Sequence, residues 1–248
     1  MDKMIQITIT TSRGSTPRDA GTSMLVGPDW QEGTIGGGQL EYDAVHTARD
    51  MLLNGTATHE ATYPLGPTLG QCCGGSVSLQ WSLIAERPAD PQKEPVWIYG
   101  AGHVGRAVAA TLTSLYDVTL IDTTAERMAE VPGTTPLIAA NPVLVVPHAP
   151  KNAHHLIMTY SHALDLDLCH ALLNHRTASI GLIGSATKWA RFRRRLHALG
   201  HGDAQISRIT CPIGNPALGK HPQQIAVGVA AELISLSHSA SQQKEIAS

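Results

Sequence analysis

Two adjacent cysteines, Cys72 and Cys73, lie in a segment that is otherwise mostly glycine, Gly70-Gln-Cys-Cys-Gly-Gly75. Glycines leave neighbouring backbone N–H groups accessible, and a concave set of such groups stabilises an anion. A thiolate held there could act as a nucleophile or as a ligand for a soft metal. A pair of small cysteines packed beside a strand is the alternative, and the residues alone leave both open. Zinc is disfavoured, because adjacent cysteines lack the C-x2-C spacing of zinc sites.

A second glycine-rich segment precedes a predicted helix and contains Gly36, Gly37 and Gly38. The N-terminus of a helix offers unpaired N–H groups to an anion, and this helix would carry Glu41 in its first turn. Arg13 and Arg18 bracket a nearby loop and could pair with a phosphate group. We interpret the segment as a second anion cradle, with a tight turn and solvated arginines as the alternative.

The segment Gly100-Ala-Gly-His-Val-Gly105 fits the pattern G-x-G-x-x-G, and Asp122 follows Gly102 by 20 residues. A predicted strand leads into the segment and a predicted helix follows it, which is the setting of a dinucleotide site. The glycines let the backbone approach a pyrophosphate, and Asp122 could accept a hydrogen bond from a ribose hydroxyl. An aspartate there disfavours a 2′-phosphate, so NAD is expected rather than NADP. The alternative is a Rossmann scaffold that no longer binds a nucleotide.

The apolar pattern predicts the elements that would position these segments. Ile5, Ile7 and Ile9 alternate as in a strand, and residues 40–52 keep the spacing of a helix. From Val96 onward the pattern predicts strands at 96–99, 118–122, 137–140, 155–160 and 180–183, and helices at 103–115, 166–174, 187–199 and 223–236, so that strands and helices largely alternate. This alternation predicts parallel sheet. We therefore predict an α/β chain with a C-terminal Rossmann-like parallel sheet, helices on both of its faces, and a smaller N-terminal α+β domain.

Residues 87–95 are polar, rich in proline and without periodicity. Such a stretch is typical of a linker between domains. We predict an N-terminal domain over residues 1–86 and a Rossmann-like domain over residues 96–248.

Composition restricts the classes of function and location. The formal net charge of −2 disfavours a nucleic-acid binder that relies on a broad basic field. The sequence has neither an 18-residue apolar run nor the apolar core of a signal peptide, so we expect a cytoplasmic protein with no membrane partner. Its four cysteines are too few for a disulfide scaffold, and reduced thiols are expected.

Taken together, these segments resemble the XdhC/CoxI family, the accessory proteins that mature molybdenum hydroxylases such as xanthine dehydrogenase. The matching segments span nearly the whole chain in the family's order: Arg13–Arg18, Gly33–Gly38 with Leu40-Glu41, Leu69–Gly75, Gly100–Gly105, Gly181–Ser185 with Thr187-Lys188, and Cys211–Gly214 with Gly219-Lys220. The Cys-Cys-Gly-Gly segment is distinctive among them.

The resemblance implies a chaperone for the molybdenum cofactor with no turnover of its own. Such a protein binds Mo-molybdopterin, supports its sulfuration by a cysteine desulfurase, and inserts it into xanthine dehydrogenase or a related hydroxylase; family members are commonly homodimers. A pterin phosphate suits a glycine-rich cradle, and a soft thiol suits molybdenum. The candidate cofactor-binding residues are then Gln71, Cys72, Cys73, Gly74, Gly36, Gly37, Gly38, Arg18, Gly100, Gly102, Gly105 and Asp122, with Cys72 and Cys73 as metal contacts.

The chain departs from the family pattern in two places. Relatives usually begin with a further helical segment, whereas this sequence starts almost at the first strand. The family's Met-Thr-His reads Met158-Thr-Tyr160 here. Two other functions stay open. An NAD-dependent oxidoreductase would need a general acid–base pair after a late strand, and none is clear. A nucleotide-sensing regulatory module would leave Gln71-Cys-Cys73 unexplained.

Overall fold

The computed structural model describes residues 3–65, 74–89, 92–128 and 130–246, and from residue 238 it describes the backbone only. The chain divides into two compact units, Met1–Asp90 and Pro91–Ser248, and this division falls inside segment 87–95. Among the helices in these ranges, none has the length and apolar character needed to cross a membrane.

The first unit is an antiparallel sheet with one helix. Its strands are β1 (Met4–Arg13), β2 (Ser23–Val26), β3 (Gln31–Gly33), β4 (Thr58–Pro64) and β5 (Ser76–Ile84). They lie side by side in the order β3-β2-β1-β5-β4. The helix α1 (Gly38–Asn54) ends at Gly55, whose φ of 69° is the left-handed conformation that closes many helices.

The core of the first unit lies between one face of this sheet and α1. Three alternating isoleucines of β1 are fully buried there: Ile5, Ile7 and Ile9. Trp81 of β5 lies in the same core, and its indole N–H donates to the carbonyl of Ala44 in α1 at 2.9 Å. The period-2 pattern of the sequence thus predicts which face is covered.

The sequence pattern did not predict β3 or β4. β4 pairs with β5 over its whole length, with Glu60 opposite Gln80. Every β4 side chain is exposed or half-buried. Both strands lie at the edges of the sheet, where burial does not force apolar residues to alternate.

The second unit is a parallel sheet between two layers of helices. Its strands are β6 (Glu94–Tyr99), β7 (Tyr116–Asp122), β8 (Thr134–Ile138), β9 (His154–Ile157), β10 (Ser179–Leu182) and β11 (Ile209–Thr210). The helices are α2 (His103–Leu112), α3 (His162–Leu173), α4 (Ala186–Ala198), α5 (Asp203–Ile206) and α6 (Pro222–Ile246). Single 3₁₀ segments occupy Ala125–Arg127, Pro142–His148 and Pro216–Leu218.

The strand order β11-β10-β9-β6-β7-β8 is that of a Rossmann fold. The chain moves outward from β6 to β7 and β8, then returns to place β9, β10 and β11 on the other side. Val96 and Ile98 of β6 face the layer that holds α2 and α6, whereas Trp97 and Tyr99 face the layer that holds α3 and α4. The predicted fold class, including helices on both faces, is confirmed.

Several predicted boundaries were wrong. The sequence predicts that β9 reaches Tyr160, but it ends at Ile157 because the Thr159 N–H donates to the Asp165 carboxylate at 3.1 Å. Glu94, expected in the linker, pairs with Tyr116 and begins β6. The helix α2 ends three residues earlier than predicted, at Leu112, and α6 continues beyond the predicted end to Ile246.

Candidate functional site

The glycine turn before α1 encloses a carboxylate of the chain itself. One oxygen of Glu41 accepts hydrogen bonds from the Thr34 hydroxyl at 2.5 Å and from the backbone N–H groups of Ile35 and Gly37 at 3.0 Å each. Burial alone would raise the pKa of the Glu41 carboxyl. The hydrogen bonds from Thr34, Gly37 and Ile35 outweigh burial and hold that pKa below its ordinary value.

This arrangement changes the expected anion cradle. The sequence interpretation gave these N–H groups to an external anion, but Glu41 supplies the negative charge from within the turn. Gly37 keeps one open side, since no atom lies within 4 Å of the position a Cβ would take. A phosphate can therefore reach the outer surface of the turn but not its centre, and the assignment of Gly36, Gly37 and Gly38 to a cofactor stays a prediction.

The turn rests against the loop that carries the two arginines. A Cβ on Gly36 would lie 2.6 Å from Cγ of Pro17, so only glycine lets the two segments approach this closely. Arg13 and Arg18 are exposed, and neither takes part in a salt bridge with any other residue that the structure describes. Cγ of Arg18 lies 3.8 Å from the same Cβ position on Gly36, so the fold brings the Arg18 side chain next to the glycine turn.

The same loop meets the residues that follow the two cysteines. Ser15 and Gly74 form an isolated bridge, and a Cβ on Gly75 would collide with the Ser15 carbonyl oxygen. The backbone of Leu65 exchanges hydrogen bonds with Gly74 at 2.8 Å and Gly75 at 2.7 Å. Residues 66–73 are therefore bounded at both ends by paired backbone beside Ser15.

We call this convergence the glycine junction: the loop Arg13–Arg18, the turn Thr34–Gly38, and Gly74 with Gly75. It joins Arg18, the three glycines and Gly74 of the predicted site in one unit. The predicted residues Gln71, Cys72 and Cys73 lie outside the described ranges. Their assignment as cofactor and metal ligands stays a prediction.

In the second unit, each glycine of the G-x-G-x-x-G segment has a separate geometric role. Gly100 turns the chain with a φ of 112°, and a Cβ there would collide with the Met158 carbonyl oxygen. A Cβ on Gly105 would collide with the Gly100 carbonyl, so α2 can approach β6 only through a glycine. Gly102 has nothing within 4 Å of its Cβ position and begins α2 without a side-chain cap. These are the roles expected at a pyrophosphate-binding turn.

The acidic residue of the fingerprint lies beneath that turn. Asp122 is only 4% exposed. One of its oxygens accepts the Ala101 N–H at 2.7 Å and the other accepts the Thr123 N–H at 2.6 Å. The role visible in the structure is therefore to anchor the glycine-rich turn, and a contact between Asp122 and a ribose stays a prediction.

The sequence interpretation missed two cationic groups near this turn. The guanidinium of Arg106 donates to the Ala101 carbonyl at 2.6 Å. Arg127 lies over the ring of Tyr160, with Cζ 4.0 Å from the ring centroid. Arg106 lies in α2 and contacts the turn that precedes the helix, whereas Arg127 and Tyr160 lie in two different loops; no periodicity or spacing in the sequence predicts either contact.

It also missed a buried ion pair at the carboxyl ends of β9 and β10. The Lys188 ammonium donates to the Asp165 carboxylate at 2.6 Å and to the Ile183 carbonyl at 2.8 Å. The Asp165 side chain is fully buried, and that of Lys188 is 10% exposed. The second Asp165 oxygen accepts the hydroxyl and the N–H of Thr159. The pair therefore ties together the chain segments that follow two neighbouring strands.

The two described thiols are poor nucleophiles. Cys169 is buried, and burial raises its pKa far above the ordinary value for a thiol. Burial raises the pKa of Cys211 to about 11, although the nearby Lys188 ammonium acts in the opposite direction. Within the described ranges, no three His, Cys, Asp or Glu side chains form a group that could hold a metal ion.

Comparison with known proteins extends over both units. The family model described as the XdhC Rossmann domain matches residues 96–233, and the model described as the XdhC and CoxI family matches residues 2–63. The chain is 29% identical over 244 residues to the uncharacterized protein YqeB of Escherichia coli K12. That alignment covers 94% of the chain but only 43% of YqeB, so the chain spans less than half the length of this relative.

A solved structure shares the fold. The crystal structure of a protein titled a xanthine dehydrogenase, from Bacillus halodurans, matches with a TM-score of 0.83 and 19% identity. The match covers 96% of this chain and 92% of the other. At this identity the likeness establishes the architecture alone.

Proposed function

The chain belongs to the XdhC and CoxI family, and on that premise we propose that it is an accessory protein for a molybdenum hydroxylase of the xanthine dehydrogenase type. It binds the molybdenum cofactor as cargo, holds it while a cysteine desulfurase supplies the terminal sulfur, and delivers it to the apo-hydroxylase. It turns over no substrate of its own and works as a homodimer in the cytoplasm.

The glycine junction is the observation that carries this proposal. In it the exposed Arg18 lies beside Gly36, and Ser15 of the same loop forms a bridge with Gly74. Gly74 is paired with Leu65, and the two cysteines stand between Leu65 and Gly74 in the sequence. To bind the molybdenum cofactor, the protein needs an anion-binding group for the pterin phosphate and a soft ligand for the molybdenum–sulfur centre. The two must lie no farther apart than the length of the cofactor. The arginines meet the first need, and Cys72 or Cys73 meets the second.

The internal position of Glu41 refines where the phosphate binds. Because the Glu41 carboxylate already accepts the N–H groups of Ile35 and Gly37, a second anion at the centre of the turn would meet like charge. We assign the phosphate to Arg18 and Arg13 instead, on the outer side of the junction.

The test measures cargo and delivery separately. The protein is purified without oxygen from a molybdenum-replete host, and molybdenum and pterin per chain are determined for the wild type, a Cys72→Ser/Cys73→Ser double variant, Arg18→Gln, and the matched control Cys211→Ser. Activation of a molybdenum-free apo-hydroxylase is then measured with each. We expect the double variant to lose cargo and activation, and Cys211→Ser to retain both. Normal loading and activation by the double variant would contradict the proposal.

A nucleotide-responsive role is the second candidate. It is favoured by the open Cβ position of Gly102 at the uncapped start of α2. Calorimetry with NAD tests it directly. Reduction of added NAD by small alcohols or hydroxy acids would instead indicate an oxidoreductase.

A further inference from the structure

Arg127 and Tyr160 form a contact between two loops of the Rossmann unit. Arg127 ends the 3₁₀ segment after β7, and Tyr160 follows β9. The guanidinium carbon lies 4.0 Å from the centroid of the tyrosine ring. The ring remains 63% exposed, and Arg127 is exposed as well. A second planar group therefore has access to this pair.

The contact joins the loops that follow the two neighbours of β6. That strand lies between β7 and β9, so the two loops stand on either side of the strand that leads into the glycine-rich turn. Adjacent strands are about 4.8 Å apart, so the two strands that lead into these loops lie about 10 Å apart, with β6 between them. Ligands of doubly wound sheets bind in the crevice at this edge, where the strand order reverses.

The charge of Arg127 is not neutralised locally. It forms no salt bridge with any of the residues in the described ranges. The neighbouring Glu126 is exposed and forms no salt bridge with Arg127. Asp122 and Asp165 are buried and are paired with N–H groups and with Lys188. The guanidinium keeps donors for an incoming anion while it lies over the ring.

We infer that Arg127 and Tyr160 form a recognition clip for a phosphorylated planar heterocycle, with the ring of the ligand on Tyr160 and its phosphate on Arg127. A tyrosine face stacks on any flat heterocycle, and a guanidinium fork matches the oxygens of a phosphate. An adenine nucleotide and a pterin phosphate share this chemistry. The inference rests on the second candidate function, which it deepens by naming two residues that would hold the ligand, and it requires neither the cysteines nor molybdenum.

An exposed cation–π pair contributes only about 0.5–1 kcal/mol to stability, so a contribution to folding is a weak explanation for this contact. The position of this pair is what distinguishes it. The pair comes from the loops after the two strands that flank β6, and the chain passes from β6 into the turn where Gly102, with open space at its Cβ position, begins α2 without a side-chain cap.

The experiment is calorimetry on the full chain with three probes: ADP, 6-hydroxymethylpterin diphosphate and inorganic pyrophosphate. The variants are Tyr160→Leu, Tyr160→Phe and Arg127→Gln. Two matched controls change exposed residues of the same type elsewhere, Tyr42→Leu and Arg194→Gln. Circular dichroism verifies the fold of each.

We expect the wild type to bind one ring-bearing probe more tightly than pyrophosphate, and the preferred probe identifies the source of the ligand. Tyr160→Leu should weaken that probe about tenfold and leave pyrophosphate within about twofold, whereas Tyr160→Phe should retain binding. Arg127→Gln should weaken all binding about tenfold, and the controls should match the wild type. No binding of any probe at millimolar concentration, or equal affinity of Tyr160→Leu and the wild type for the ring-bearing probes, would overturn the inference. Loss of cargo by the cysteine variants would not affect this result, so the two proposals fail separately.

Discussion

One carboxylate oxygen of Asp122 accepts a 2.7 Å hydrogen bond from the backbone N–H of Ala101. The residue that the fingerprint assigns to a ribose is therefore bonded to the turn that would hold the pyrophosphate. A variant of Asp122 changes both the shape of the turn and any contact with a nucleotide. Loss of nucleotide binding in such a variant cannot by itself identify a ribose acceptor.

Asp122→Ala should lower the free energy of unfolding of the second unit by about 1–3 kcal/mol, because it leaves the buried N–H groups of Ala101 and Thr123 without an acceptor. Urea unfolding followed by circular dichroism measures the loss. The matched control is Asp117→Ala, an exposed position on the same strand. Equal stability of the two variants would contradict the anchoring role.

Gly105→Ala should destabilise the second unit by about 1–3 kcal/mol, because its Cβ collides with the Gly100 carbonyl and pushes α2 away from β6. Gly102→Ala should cost less than about 1 kcal/mol, since open space surrounds that position and only the cap preference of glycine is lost. Thermal unfolding compares the two. A larger loss at Gly102 than at Gly105 would mean that the turn is packed differently.

Lys188→Met should be among the most destabilising single changes, at about 3–5 kcal/mol, because the fully buried Asp165 carboxylate loses its cationic partner and keeps only the hydrogen bonds from Thr159. Adding Asp165→Asn should recover part of this loss, since a neutral amide oxygen still accepts from Thr159. A double-mutant cycle on the free energy of unfolding measures the coupling, with the exposed Lys151→Met as control. Additive effects would show that the pair is not coupled.

His155 should make the second unit sensitive to acid. Burial, together with the smaller effect of the neighbouring His175 and His154, lowers the pKa of His155 to about 3. In the unfolded chain a histidine has a pKa of about 6.5. Between about pH 6.5 and pH 3 the unfolded chain therefore binds a proton at this residue that the folded chain does not bind. Stability from this residue is complete above pH 6.5 and decreases below it, by up to about 1.4 kcal/mol per pH unit.

The measurement is the free energy of unfolding from pH 7 to pH 4 for the wild type and His155→Phe. The variant should show a flatter dependence on pH over this range, whatever its stability at pH 7. An exposed histidine, His46, provides the control His46→Phe, which should keep the slope of the wild type. An unchanged slope in His155→Phe would contradict the prediction.

The sequence predicted those features of the fold that hydrophobic periodicity and motif spacing determine. Glycines at 100, 102 and 105 after a buried strand predicted the Rossmann unit, because only such residues permit the close contacts of that turn. The spacing of residues in the sequence does not determine the direction in which a side chain points. Glu41 and Asp122 stand at the predicted positions, yet each carboxylate points to backbone N–H groups of its own chain.

The contacts that the sequence could not predict join segments far apart in the chain. Lys188 and Asp165 meet only because β9 and β10 are neighbours, and Arg127 meets Tyr160 only because β6 lies between their strands. Neither residue pair has a periodic signal. The sequence did not predict edge strand β4 for a different reason: none of its side chains is fully buried, so its apolar residues need not alternate.

The hydrogen bonds that join Leu65 to Gly74 and Gly75 do not involve the residues between them, so this backbone pairing does not depend on which residues that segment contains. The sheet holds the two ends together, so the entropy of closing that segment grows only slowly with its length. A doubling of its length would cost roughly 0.6 kcal/mol. Insertions between Leu65 and Gly74 should therefore cost the first unit little stability, because the hydrogen bonds that pair the two ends lie outside the inserted residues.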